Sequence, residues 1–167
     1  MLKIFYLFFI SLFLLGCSGF ELVYGEKKSI AALKNDTSLK VSGDNSSLIT
    51  SALKRKIGST NKVARLNLEV SSIKNKRKAV TEKDQITSQY EIKYSIDYLL
   101  TKSDSVCFVA RFSSIVKSNY SSKSSGYSYG SDVGEKKTEK DLIEMSINEF
   151  FNHVLFNNSA LECKNES

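Results

Sequence analysis

Residues 90–98, YEIKYSIDY, decide the fold. Tyr90, Ile92, Tyr94, Ile96 and Tyr98 fall on one face of an extended chain, and Glu91, Lys93, Ser95 and Asp97 on the other. A period of two describes a strand with one buried and one wet face, and it fits no helix. The pattern recurs on both sides. In residues 64–70, ARLNLEV, the apolar set is Ala64, Leu66, Leu68 and Val70, against Arg65, Asn67 and Glu69. In residues 106–116, VCFVARFSSIV, Val106, Phe108, Ala110, Phe112 and Val116 align. Three such segments in succession predict an antiparallel meander. Residues 73–85, IKNKRKAVTEKDQ, read as a long basic connection, and residues 101–105, TKSDS, as a short hairpin loop.

Working outward, residues 38–42 predict a short strand, followed by a turn at Gly43-Asp44. Asn45 is placed to cap a helix whose apolar positions are Leu48, Ile49, Ala52, Leu53 and Ile57, with Gly58 as its stop. Residues 117–131, KSNYSSKSSGYSYGS, read either as a flexible surface loop or as an irregular segment whose tyrosines meet a partner. Thr138-Glu139-Lys140-Asp141 resembles a capping box with Asp in place of Glu. A helix follows, with Leu142, Ile143, Ile147, Phe150, Phe151, Val154 and Leu155 along one stripe, and the tail from Asn157 is polar. The order strand-helix-strand-strand-strand-helix, with both helices one-faced and the outer sheet face polar, predicts an α+β two-layer sandwich. It has a four-stranded mixed sheet and two helices packed on one face.

The chain opens MLKIFYLFFISLFLLG, with one charge, Lys3, and an apolar run from Ile4 to Leu15. A run of that length is too short for a membrane-spanning helix, which needs roughly 20 residues. A basic start, a short apolar stretch and a small residue before the break read as a secretory signal peptide. Leu14-Leu15-Gly16 before Cys17 resembles a lipobox, which makes Cys17 a lipid anchor; the other reading is an ordinary signal peptide with an incidental cysteine. Two or more acyl chains hold a protein stably at a membrane where one does not. Ser18, rather than aspartate, resembles the signal for outer-membrane sorting. The expected organisation is a removed signal at 1–16, an anchored lead-in at 17–37, one domain at 38–157 and a flexible tail at 158–167.

Removing residues 1–16 takes away one lysine and no acid, so the net charge falls from +6 to +5. That balance suits an anionic partner such as lipid phosphate, and export makes nucleic acid a poor match. Cys107 and Cys163 then remain in an oxidising compartment that permits a disulfide. Sequence does not show that they meet: the other reading is a buried Cys107 and a Cys163 in a loose tail. Catalytic chemistry finds no support. The single histidine, His153, lies on a helix, and there is no metal-ligand spacing, phosphate loop or nucleophile elbow. No cofactor and no metal are expected. Two basic groups stand out: Lys74, Lys76, Arg77 and Lys78 with Lys83 further along, and Lys136, Lys137 and Lys140. For each, solvated charge is the plain reading and an anionic headgroup the functional one.

The lipobox cysteine followed by GFELVYG resembles the C-G-F-x-x-L-Y-G opening of the LptE family of lipopolysaccharide-assembly lipoproteins, with Ser18 inserted and Val23 between Leu22 and Tyr24. SGDNSSLITSALKRKI, TSQYEIKYSIDYLL and the stretch from RFSSIVKSNY to SINEF resemble that family's first helix, central strand, and last strand, loop and helix. The resemblance implies a lipoprotein anchored in the inner leaflet of the outer membrane. It would plug the LptD β-barrel and help deliver lipopolysaccharide to the cell surface. It places Lys83 and Lys136 at lipid-contacting positions, with Lys76 and Arg77 as neighbouring candidates. Two alternatives remain: an auxiliary lipoprotein of a lipid-transport ABC system, and a surface lipoprotein that binds ligands.

Overall fold

The structure, a computed structural model, describes residues 33–59, 63–81, 87–104, 107–123, 129–157 and 161–163. Cys17, the signal segment, most of the lead-in and Lys83 lie outside the described residues. The element order is β1 (Thr37–Gly43), α1 (Ser46–Ile57), β2 (Leu66–Thr81), β3 (Thr87–Lys102), β4 (Phe108–Lys123) and α2 (Tyr129–Asn157). The strands form one sheet in the order β1-β2-β3-β4. β1 runs parallel to β2, while β2–β3 and β3–β4 are antiparallel. This is the expected α+β sandwich with a mixed sheet.

The three long strands are 16 residues each, far longer than the alternation alone marks out. The basic stretch read as a connection is strand as far as Thr81, and only residues 82–86 separate β2 from β3. Likewise β4 absorbs residues 117–123 of the serine-tyrosine stretch, and α2 begins at Tyr129, nine residues ahead of the capping-box Thr138. The physical reason is pairing. Lys74 to Lys78 lie opposite Tyr94 to Tyr90, and Tyr90 opposite Tyr120, so ladder hydrogen bonds and cross-strand contacts hold segments whose own residues carry no apolar alternation.

The core lies between the sheet and the helices. Leu66, Leu68 and Val70 of β2, Ile92 to Leu100 at alternate positions of β3, and Ala110 and Val116 of β4 are buried. They meet Ile49, Leu53 and Ile57 of α1 and Ile143, Ile147, Phe150 and Val154 of α2. Tyr98 stacks on Phe150 with ring centroids 4.6 Å apart, and its hydroxyl shares a 2.9 Å hydrogen bond with the buried Ser146. Val109 departs from the alternation. Leu100 pairs with Ala110 and Thr101 with Phe108, so Val109 is the extra residue of a bulge and turns inward to full burial.

Gly43 ends β1 at φ 90°, where an added Cβ would stand 2.0 Å from the Ser72 carbonyl oxygen. Asn45 takes the N-cap position of α1 as expected, but its side chain makes no capping bond and reaches across to α2 and β3 instead. At the other end of the sheet Cys107 and Cys163 form a disulfide with Cα atoms 5.5 Å apart. Leu161 packs against the core, so residues 161–163 are held to the start of β4 and are not a loose tail.

Candidate functional site

Side chains in a strand alternate, so the core face of β2 continues past Val70 through Ser72, Lys74 and Lys76. In α2 the core-facing stripe of Ile143, Ile147 and Phe150 continues backward, one turn at a time, through Glu139 and Glu135. The apolar interface between helix and sheet therefore becomes ionic towards the tip. Lys74 pairs with Glu139 and, at 3.2 Å, with Glu135; Lys76 reaches Glu135 at 2.6 Å. The Tyr120 hydroxyl donates to Glu135 at 2.8 Å, and the Asn45 side-chain amide donates to Glu139 at 2.9 Å. The Lys76 ammonium also lies 5.0 Å from the Tyr90 ring centroid and 5.5 Å from that of Tyr120, and the two rings stack.

Two lysines and two glutamates make this cluster neutral as a set. Burial works to raise the Glu135 carboxyl, but bonds from Lys76, Tyr120 and Lys74 outweigh it and hold the group at about 2. The bond to Glu135 pushes Lys76 upward, and burial pulls Lys74 down less than its two glutamates raise it. Tyr94, desolvated beneath the cluster, is pushed up to about 12.

Among the described residues, Lys74 and Lys76 converge on Glu135, but the candidates Lys76, Arg77 and Lys136 do not converge with one another. Lys76 faces the helices inside the cluster. Its neighbour Arg77 projects from the opposite, open face, where it donates to Glu91 at 2.8 Å with its own side chain 75% exposed. Lys136 is exposed on α2. A loop would let these side chains gather; a strand cannot, because successive residues point to opposite faces. Glu135, Tyr90 and Tyr120 do not stand out in sequence as site residues. The signal that finds them is the i, i+2 series through Lys74 and Lys76 set beside Glu135 and Glu139 at i, i+4.

The open face, uncovered by either helix, has its own geometry. Its rows across β2, β3 and β4 read Ile73–Ser95–Ile115, then Asn75–Lys93–Lys117, then Arg77–Glu91–Asn119. Among the described residues no group of three or more His, Cys, Asp or Glu side chains is placed to hold a metal, and no helix is long and apolar enough to cross a membrane.

The fold is similar to that of a protein from Caulobacter crescentus CB15 assigned as a lipoprotein, with a TM-score of 0.61 and 10% identity over 81% of this chain and 98% of that one. Weaker likenesses are a minor lipoprotein from Acinetobacter baumannii (TM-score 0.48, 8% identity, 72% of this chain and 90% of that one) and the rare lipoprotein B from Shewanella oneidensis (0.42, 12%, 73% and 93%). At these identities the likeness is one of fold alone. No family model and no curated protein matches the chain.

Proposed function

We propose that this chain is a non-catalytic outer-membrane lipoprotein, anchored through Cys17, that plugs an LptD-type β-barrel and works with it to deliver lipopolysaccharide to the cell surface. The observation that carries this reading is the open sheet face: 16-residue strands, rigidly paired and largely polar, of the kind that suits a barrel's polar lumen. The shared fold with a lipoprotein and the lipobox-like Leu14-Leu15-Gly16-Cys17 are consistent with it.

Within this reading the lysines divide by availability. Lys136 is exposed on α2, Arg77 is exposed but already paired with Glu91, and Lys83 remains a candidate from resemblance. Lys76 is engaged by Glu135, with its side chain 37% exposed. The test is purification of the mature, lipidated protein from solubilised outer membranes. Recovery of a large β-barrel at about one to one, resisting stringent washing, supports the plug. Recovery of an ATPase complex, or of no barrel, sinks it.

A further inference from the structure

The open face divides into two halves of different charge. Nearer β1 it is balanced: Lys40 pairs with Glu69 at 2.9 Å, and Arg111 and Asp97 lie on the same face. Beyond the Ile73–Ser95–Ile115 row it is not. Lys93 and Lys117 are register partners on adjacent antiparallel strands. Directly opposed side chains of this kind have Cβ atoms about 4.5–5.5 Å apart, and like charges so placed repel. Among the described residues neither lysine has an acid within ion-pair distance. The nearby carboxylate, Glu91, is already taken by Arg77 at 2.8 Å. That bond first, and then the charges of Lys117 and Lys93, hold Glu91 below the usual carboxylate range.

The row that separates the halves is also unusual for a wet face. Ile73 is 61% and Ile115 66% exposed, flanking Ser95 in the middle of the sheet. An apolar centre with a charged border is the layout of a protein contact surface. At ordinary strand rise and spacing, three strands of this length present about 750 Å² over the whole open face, so the half beyond the isoleucine row supplies about half of the roughly 800 Å² that each partner gives to a standard interface. A lone phosphate would use the lysines and leave the isoleucines wet.

We infer that the half of the open face built from Ile73, Ile115, Lys93 and Lys117 is the seat of a carboxylate-bearing protein surface, the inner wall of the partner barrel. The inference rests on the plug reading and deepens it by naming the face that touches the wall and the charge the wall carries there. An acidic pair on the wall offsets the Lys93–Lys117 repulsion, so binding relieves a cost the free protein carries. Ile73 and Ile115 lose their contact with water in the same step.

The test is co-expression of the full chain with its barrel, comparing wild type, the double variant Lys93→Glu with Lys117→Glu, and Lys40→Glu on the balanced half. The expected result is capture of the barrel by wild type and by Lys40→Glu, and at least a tenfold loss with the double variant, whose melting should stay near wild type because both sites are on the wet face. If the double variant captures the barrel undiminished, this inference fails while the plug stands. If wild type captures no barrel, both fall. A parallel flotation uses vesicles containing an anionic phospholipid. If the double variant loses vesicle binding but keeps the barrel, the lysines meet lipid phosphate and the protein seat is overturned.

Discussion

The two ends of the helix–sheet interface are built on the same geometry and held by different forces. At the disulfide end the core face of β2 and β3 carries Leu66, Leu68, Val70, Tyr98 and Leu100, all buried, against Ile147, Phe150 and Val154. At the tip the same faces carry Lys74, Lys76 and Tyr90 against Glu135 and Glu139. Periodicity determines which side chains meet; residue type determines how strongly and under what conditions they hold. Apolar burial stabilises by about 25 cal/mol per Å² and is indifferent to pH. A partly buried ion cluster gives back much of its attraction as desolvation, and it depends on protonation. The tip should therefore be the end that opens first.

The largest test of that contrast is Phe150→Ala. Phe150 is fully buried, stacked on Tyr98, and in contact range of Phe112 and Phe151. Removing such a ring from a core costs about 3–5 kcal/mol. Urea unfolding followed by circular dichroism should show the midpoint fall sharply with little change in slope. A loss below about 1 kcal/mol would mean that this end is not apolar-driven, and the comparison would break.

Next comes the disulfide, which spans a sequence separation of 56 residues. In the chain-entropy model a loop of that size gives about 4 kcal/mol, and measured values commonly run 2–4. Replacing Cys107 and Cys163 together with serine should lower the melting temperature and remove its sensitivity to reductant. It should also release Leu161 from the core while leaving the tip cluster intact. Coupled loss at both ends would show one cooperative unit.

How much of this was legible beforehand follows the same division. The apolar end declared itself: Tyr90 to Tyr98 alternate, Leu142 to Val154 hold helical spacing, and the sandwich with its mixed sheet follows from them. The tip did not. Strand residues Lys74, Lys76, Arg77 and Lys78 carry no apolar alternation: in the interface Lys74 and Lys76 meet carboxylates from α2, and Lys76 meets rings from β3 and β4, while Arg77 pairs with Glu91 on the open face. A reading that equates inward with apolar therefore sees a loop. Val109 was hidden for another reason, since a bulge shifts the alternation and only the pairing register reveals it. The Cys107–Cys163 contact was permitted by compartment, but meeting depends on where α2 ends relative to β4, which no local pattern encodes. The Lys93–Lys117 opposition needs the register as well.

A smaller effect is expected from Glu135→Gln. It leaves Lys74 with one carboxylate instead of two and Lys76, among the described residues, with none, and it weakens the Tyr120 bond, a loss of about 1–3 kcal/mol for a partly buried charged group. Hydrogen exchange should speed up at Lys74–Lys78 and at the start of α2, with Leu66–Val70 unchanged. The pH dependence has a definite sign. The folded carboxyl titrates at about 2, below its ordinary 4.5, so its contribution is present in full above 4.5 and is lost as pH falls toward 2. Wild type should lose tip protection over that window, and Glu135→Gln should show a flatter profile. Equal acid sensitivity in the two proteins would place the labile carboxylate elsewhere.

The smallest effect separates two neighbours. Lys76 and Arg77 are adjacent and both basic, and both are ion-paired, to Glu135 and Glu91 respectively. They differ in which face they occupy. Lys76 sits against two rings beneath α2, whereas the Arg77 side chain is 75% exposed and is held by a single carboxylate. Exposed pairs contribute about 0.2–1 kcal/mol, so Arg77→Ala should move the unfolding midpoint barely beyond error, and less in high salt than in low. Lys76→Ala should cost several times more and should, like Glu135→Gln, raise exchange at the start of α2. If the two substitutions cost the same, the tip is not organised by facing. The ion cluster would then be ordinary surface charge, and the contrast between the two ends would reduce to the presence or absence of a core.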